Sequence, residues 1–134
     1  MQNYQQTYGM PKPGVLTAVA VLTLIDGILN LLAGLAWMFT IIGAPIGIYC
    51  IVLGIMELVY APKILADPIR VRQPATHIAI MQIINIISFS VISLVIGILA
   101  LVFYNDPRVK AYFHYLNGGR SPYEPVPPAP PIQR

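Results

Sequence analysis

Charge is what this chain has least of. Of its 134 residues, 10% are charged and 57% are hydrophobic, whereas a soluble domain carries about a quarter charged residues. Between Val15 and Ala61 the only charged groups are Asp26 and Glu57, and between Ile78 and Tyr104 there are none. Runs of this kind exceed the roughly 20 apolar residues that cross a bilayer as a helix. The scarcity argues against a soluble globular domain and for an all-α integral membrane protein.

Cysteine is scarcer still. Cys50 stands alone, so no intramolecular disulfide can form and the chain gives no reading of redox compartment. Inside an apolar run a single thiol serves as a small packing residue. Catalytic apparatus is also missing: the sequence has no glycine-rich phosphate loop, Cys/His metal spacing, HExxH or nucleophile-plus-base set. No catalytic residue, metal ligand or cofactor is therefore expected, and the chain is read as non-enzymatic. Eight Lys and Arg are too few and too scattered for nucleic-acid binding. The first apolar run is too long for a signal-peptide core and is closed by no small-x-small cleavage site. Lipidation signals are lacking at both ends.

What is present falls into blocks. Residues 1–13, rich in Gln, Tyr and Pro, are expected to be a disordered tail. A transmembrane helical domain follows over 14–104. Its first helix is expected over 14–40, with Trp37 and Phe39 suited to an interfacial belt. Ile42-Gly43-Ala44-Pro45-Ile46-Gly47 supplies turn chemistry, so Gly43 and Gly47 are read as serving a hairpin bend. A second helix over 45–61 should stop at Pro62. The connection 62–75 is polar, and Pro74 offers a start for a helix over 76–104. Asn105-Asp106-Pro107 then gives a cap and a proline start for a short amphipathic helix, ended by Asn117-Gly118-Gly119 within 105–119. That helix is read either as lying on a membrane surface or as simply solvated. Six prolines in the last fourteen residues make 120–134 a disordered, polyproline-like tail.

The last apolar run decides the topology. At about 1.5 Å per residue, residues 78–104 make a helix of roughly 40 Å, long for one crossing and short for two. Its middle, Ile87-Ser88-Phe89-Ser90-Val91, holds no Gly or Pro. Local chemistry therefore favours a helical hairpin plus a third long transmembrane helix. The alternative is four helices in two hairpins, the second one short, and two observations support it. With two hairpins every Lys and Arg falls on one side, a clean positive-inside pattern. In addition, residues 51–61 (IVLGIMELVYA) and 94–104 (LVIGILALVFY) read as copies, with Gly54 matched to Gly97 and Glu57 to Ala100.

Asp26 lies near the middle of the first helix, where an ionised carboxylate costs several kcal/mol unless paired, protonated or hydrated. Asn30 is one turn on. Gln82 and Asn85 share a face at comparable depth, so a buried cluster of Asp26, Asn30, Gln82 and Asn85 is expected between the two segments. Glu57, four residues from Ala61, is placed near the interface, within reach of Lys63 or His77 or snorkelling to water. Gly27, Gly34, Gly54 and Gly97 are assigned to close helix packing.

These features suggest a small multi-pass protein acting as scaffold, accessory subunit or regulator through helix packing. The alternative is a small oligomeric transporter or channel with Asp26 as a proton or cation site. The expected partners are the lipid bilayer and either further copies of the chain or a larger membrane complex. A bacterial-type inner membrane with the 62–75 connection in the cytoplasm fits the basic residues.

Overall fold

The computed structural model of the chain describes residues 10–120; the two tails expected to be disordered lie largely outside that range. The described residues form five α-helices and no strand. They are α1 (Gly14–Met38), α2 (Ala44–Leu65), α3 (Thr76–Ile84), α4 (Val91–Tyr104) and α5 (Pro107–Leu116), with a 3-10 turn, Asn85–Ser88, continuing α3. α1 and α2 are each long and apolar enough to cross a membrane.

α1 and α2 form an antiparallel hairpin. Thr40 makes the turn: its hydroxyl donates to Trp37 O at 3.0 Å and accepts from Gly43 N at 3.0 Å. Gly43 precedes the first residue of α2, and Pro45 sits in that first turn, where its missing N–H is harmless. Four glycines then let the backbones touch. A methyl group on Gly54 would lie 2.7 Å from Gly27 O, and one on Gly47 would lie 2.7 Å from Gly34 O. The reciprocal distances are 3.1 Å from Gly27 to Gly54 O and 2.8 Å from Gly34 to Gly47 O. Gly47 thus belongs to the helix seam and not to the bend, because it lies a full turn inside α2.

α2 runs past Pro62 to Leu65. Pro62 has no N–H to give Leu58 O, yet the helix continues through one more turn. The carbonyls exposed there find other donors: Arg70 N bonds Lys63 O at 3.0 Å, and Lys12 Nζ bonds Ile64 O. The next helix starts at Thr76 and not at Pro74, whose carbonyl accepts from Thr76 N at 2.9 Å. Tyr60 OH receives Ala75 N at 2.8 Å and holds the connection against α2.

The single helix expected over 76–104 is broken, and its halves fold back as a second antiparallel hairpin. Phe89 takes a left-handed conformation, φ 62°, that a non-glycine residue rarely adopts. Side chains make this possible without Gly or Pro. Ser88 Oγ donates to Asn85 O at 2.7 Å, and Ser90, as N-cap of α4, accepts from Ser93 N at 3.3 Å. Serine and asparagine compete with the helical ladder in this way. Gly97 packs this hairpin as Gly54 packs the first, since a methyl there would lie 2.6 Å from Ala79 O. The α3 segment and α4 are each about 20 Å long, well under the roughly 30 Å of a bilayer's hydrocarbon core.

The resulting bundle has two unlike ends. One collects the start of α1, the end of α2, the 66–75 connection and α5, and with them Lys12, Lys63, Arg70, Arg72, Arg108 and Lys110. The other carries the tips, where Phe39, Ile41, Ile42 and Phe89 are all more than four-fifths exposed. α5, capped by Asp106 Oδ1 accepting from Arg108 N at 2.8 Å, does not continue α4 but bends 69° from it. Its apolar face is already used: Val109, Tyr112 and Phe113 are buried with Leu16, Ala20, Ile64 and Tyr104. It therefore stands neither as a free solvated helix nor as one turning that face to lipid. Hydrogen bonds donated by the side chain and backbone of Arg108 hold the Asp106 carboxyl below the usual carboxylate range.

The glycine seam is testable by adding one methyl group. Gly47→Ala and Gly54→Ala should each cost about 1–3 kcal/mol through overpacking. Gly14→Ala, which would meet nothing within 4 Å, should leave the thermal unfolding midpoint in detergent unchanged.

Candidate functional site: a buried acid–amide cluster

The small and polar residues of α2 recur as Gly47, Cys50, Gly54, Glu57 and Ala61, alternately three and four apart. That spacing keeps them on one helix face, and all five are buried. α1 buries a matching stripe of Thr23, Gly27, Asn30 and Gly34, with Asp26 beside Gly27. The two stripes face each other, and the second hairpin closes over them with Gln82, Asn85 and Ser93.

The side chains form one network. Ser93 Oγ donates to Asp26 Oδ1 at 2.7 Å, and Gln82 Nε2 donates to Asp26 Oδ2 at 3.2 Å. Asn30 Nδ2 donates to Glu57 Oε2 at 3.0 Å. Asn85 is the hub: its Nδ2 donates to Asn30 Oδ1 at 2.7 Å and to Ser93 Oγ at 3.0 Å. Its Oδ1 accepts from Ser88 Oγ at 2.8 Å and from Cys50 Sγ at 3.4 Å. Asp26, Glu57, Asn85 and Ser93 have no exposed surface at all. Asp26 lies about 18 Å along α1 from Gly14, near its midpoint.

The four residues grouped from sequence, Asp26, Asn30, Gln82 and Asn85, are thus brought together. Glu57 joins them, which corrects its interfacial placement. Depth counted from Ala61 was too shallow because α2 continues to Leu65. Glu57 also shares the face of Gly54, and its Cβ lies 3.0 Å from where a methyl on Gly27 would stand. It reaches neither Lys63 nor His77, both of which are exposed at the charged end. Ser88 and Ser93 were overlooked; their signal was the Ser88-x-Ser90-x-x-Ser93 spacing around the break. The four glycines named from sequence all lie against a neighbouring helix.

Among the described residues no group of three His, Cys, Asp or Glu is placed to hold a metal. The single salt bridge found among them, Arg108–Asp106 at 3.1 Å, is at the charged end. The cluster therefore contains two carboxyl groups and amides, hydroxyls and a thiol, but no cationic side chain. Such a set can bind and share hydrogens, and it offers no nucleophile-and-base geometry open to a substrate. The chain matches no family model, no curated protein and no solved structure.

Removing the hub should loosen the whole set. Asn85→Ala strands partners on α1, α2 and α4, and leaving buried polar groups unmatched costs about 1–3 kcal/mol. Cys50, the one thiol, reports on it: maleimide labelling in detergent should be slow in the unaltered protein and several-fold faster in Asn85→Ala.

Proposed function

We propose that the chain is a small integral membrane protein that works by packing and not by catalysis, as a scaffold, accessory subunit or regulator. One observation carries this reading. Among the described residues Asp26, Asn30, Glu57, Gln82, Asn85 and Ser93 are buried and hydrogen-bonded to one another, while the outward faces of α1, α2 and α4 are apolar, as at Ile28, Leu32, Leu35, Ile55, Val59, Ile98 and Val102. An exterior of this kind suits lipid tails or the helices of another membrane protein. A further copy of the chain or a larger complex is the proposed partner.

The proposed topology has α1 and α2 crossing the bilayer and the shorter second hairpin entering and returning on the same side. Non-helical backbone at membrane depth needs its polar groups matched, and the break at Phe89 bonds locally, Phe89 N to Ile86 O, Val91 N to Phe89 O and Ser88 Oγ to Asn85 O. The clustering of basic residues at one end supports placing the 62–75 connection on the cytoplasmic side of a bacterial-type inner membrane.

A transport role for the Asp26 region is the second reading. Its support is the presence of two buried acids, since intramembrane carboxyl groups mark proton and ion paths. Against it stands the closure of the cluster to solvent.

Reporter fusions at residue 120 and within 62–75 should read the same side, and opposite sides would refute the two-hairpin topology. Purified protein in liposomes should pass neither protons nor Na⁺ down an imposed gradient. Flux abolished by Asp26→Asn, with assembly intact by gel filtration, would replace the packing role with the transport one.

A further inference from the structure

Two atoms of the cluster have no partner. Glu57 Oε1 and Gln82 Oε1 are both buried and receive no hydrogen bond. Every other carboxyl oxygen in the cluster is served: Asp26 Oδ1 by Ser93, Asp26 Oδ2 by Gln82 and Glu57 Oε2 by Asn30. Both orphans are acceptors, so what each lacks is a hydrogen. A buried acceptor left without one costs about 1–3 kcal/mol.

The orientation of Gln82 follows from its neighbour. Its Nε2 must face Asp26 Oδ2 as long as Asp26 is a carboxylate, which turns Oε1 away from that group. The side chain of Glu57 approaches both Gln82 and Asp26. We infer that Glu57 is a proton-binding site: Oε1 holds a hydrogen at neutral pH, while Asp26 beside it stays the carboxylate. One proton then supplies Glu57 Oε1 and removes one of two like charges from a site that has no cationic side chain.

The groups facing this site are few. α1 contributes Asp26, Asn30 and Thr23; α2 adds Cys50 and Tyr49; α3 and its 3-10 turn bring Gln82, Asn85 and Ser88; α4 supplies Ser93. Of these only Asp26, Cys50 and Tyr49 can titrate, and none carries a positive charge. A bare metal cation fits the set less well, because amide N–H groups already occupy an oxygen of each carboxyl group. The inference goes beyond the packing role and depends only on burial within the fold.

Infrared spectroscopy of the full-length protein decides it. The chain has two glutamates, Glu57 and Glu124, so a Glu124→Gln background leaves Glu57 as the only one. At neutral pH in choline buffer the spectrum should contain one protonated-carboxyl carbonyl band. That band should shift with carboxyl-¹³C glutamate, stay in place with labelled aspartate, disappear in Glu57→Gln and persist when Na⁺ or Li⁺ replaces choline. No such band, a band that follows labelled aspartate, or a band lost on adding Na⁺ or Li⁺ would each overturn the assignment. The last result would mean a metal cation held between carboxylates. Should Glu57→Gln fail to fold, the isotope shift in the background protein still decides. Because the reading needs neither topology nor flux, its failure is separable from failure of the packing role.

Discussion

A break inside an apolar helix survives only where each freed backbone group finds a partner from the protein itself. The break at Phe89 answers part of that demand with Asn85, Ser88, Ser90 and Ser93, which bond backbone and one another around the reversal. Once these residues cap the second hairpin they have lone pairs and hydrogens to spare, and these must also be matched. α1 supplies the match, with Asp26 and Asn30 opposite Ser93 and Asn85. The polar layer in the middle of the bundle follows from the need to end a helix there.

Magnitudes assign the layer its role. A hydrogen bond between helices in an apolar setting is worth about 0.6 kcal/mol on average, whereas an unpaired buried carboxylate costs several. The network therefore does not drive the helices together. Apolar packing and the close approach of Gly27, Gly34, Gly47 and Gly54 do that, and the network penalises wrong arrangements. Sliding the second hairpin one turn along α1 moves it about 5.4 Å, which separates Ser93 from Asp26 and Asn85 from Asn30 and breaks the bonds that join the two hairpins there. The polar layer thereby fixes register.

Much of this was legible in the sequence, because an acid and three amides in apolar runs cannot be solvated where they stand and have only each other. Helical spacing and equal depth sufficed to group Asp26, Asn30, Gln82 and Asn85. Two things were hidden. Glu57 was placed too shallow because Pro62 reads as a helix stop, yet α2 goes on to Leu65 with its last carbonyls bonded by Arg70 and Lys12. The reversal at Phe89 carries neither Gly nor Pro, and its cause is side-chain hydrogen bonding that becomes visible only when Ser88, Ser90 and Ser93 are seen together. The charge pattern had the topological information that local propensity lacked, since collecting the basic residues at one end requires an even number of passes.

The copied stretches, 51–61 and 94–104, acquire a physical meaning from their positions. Each lies in the second helix of a hairpin, and in each the shared glycine sits against a carbonyl of the preceding helix, Gly27 O for Gly54 and Ala79 O for Gly97. What differs is the residue three places on. Glu57 enters the polar layer, while Ala100 falls in the apolar cluster with Ala79 and Tyr104 beneath α5. The first hairpin is long enough to carry its glycine contact at mid-length; the second is short, so the same contact lies nearer the charged end. A carboxyl group at position 100 would enter that apolar cluster, whereas at position 57 it meets Asn30. The difference in hairpin length thus determines which copy can carry an acid.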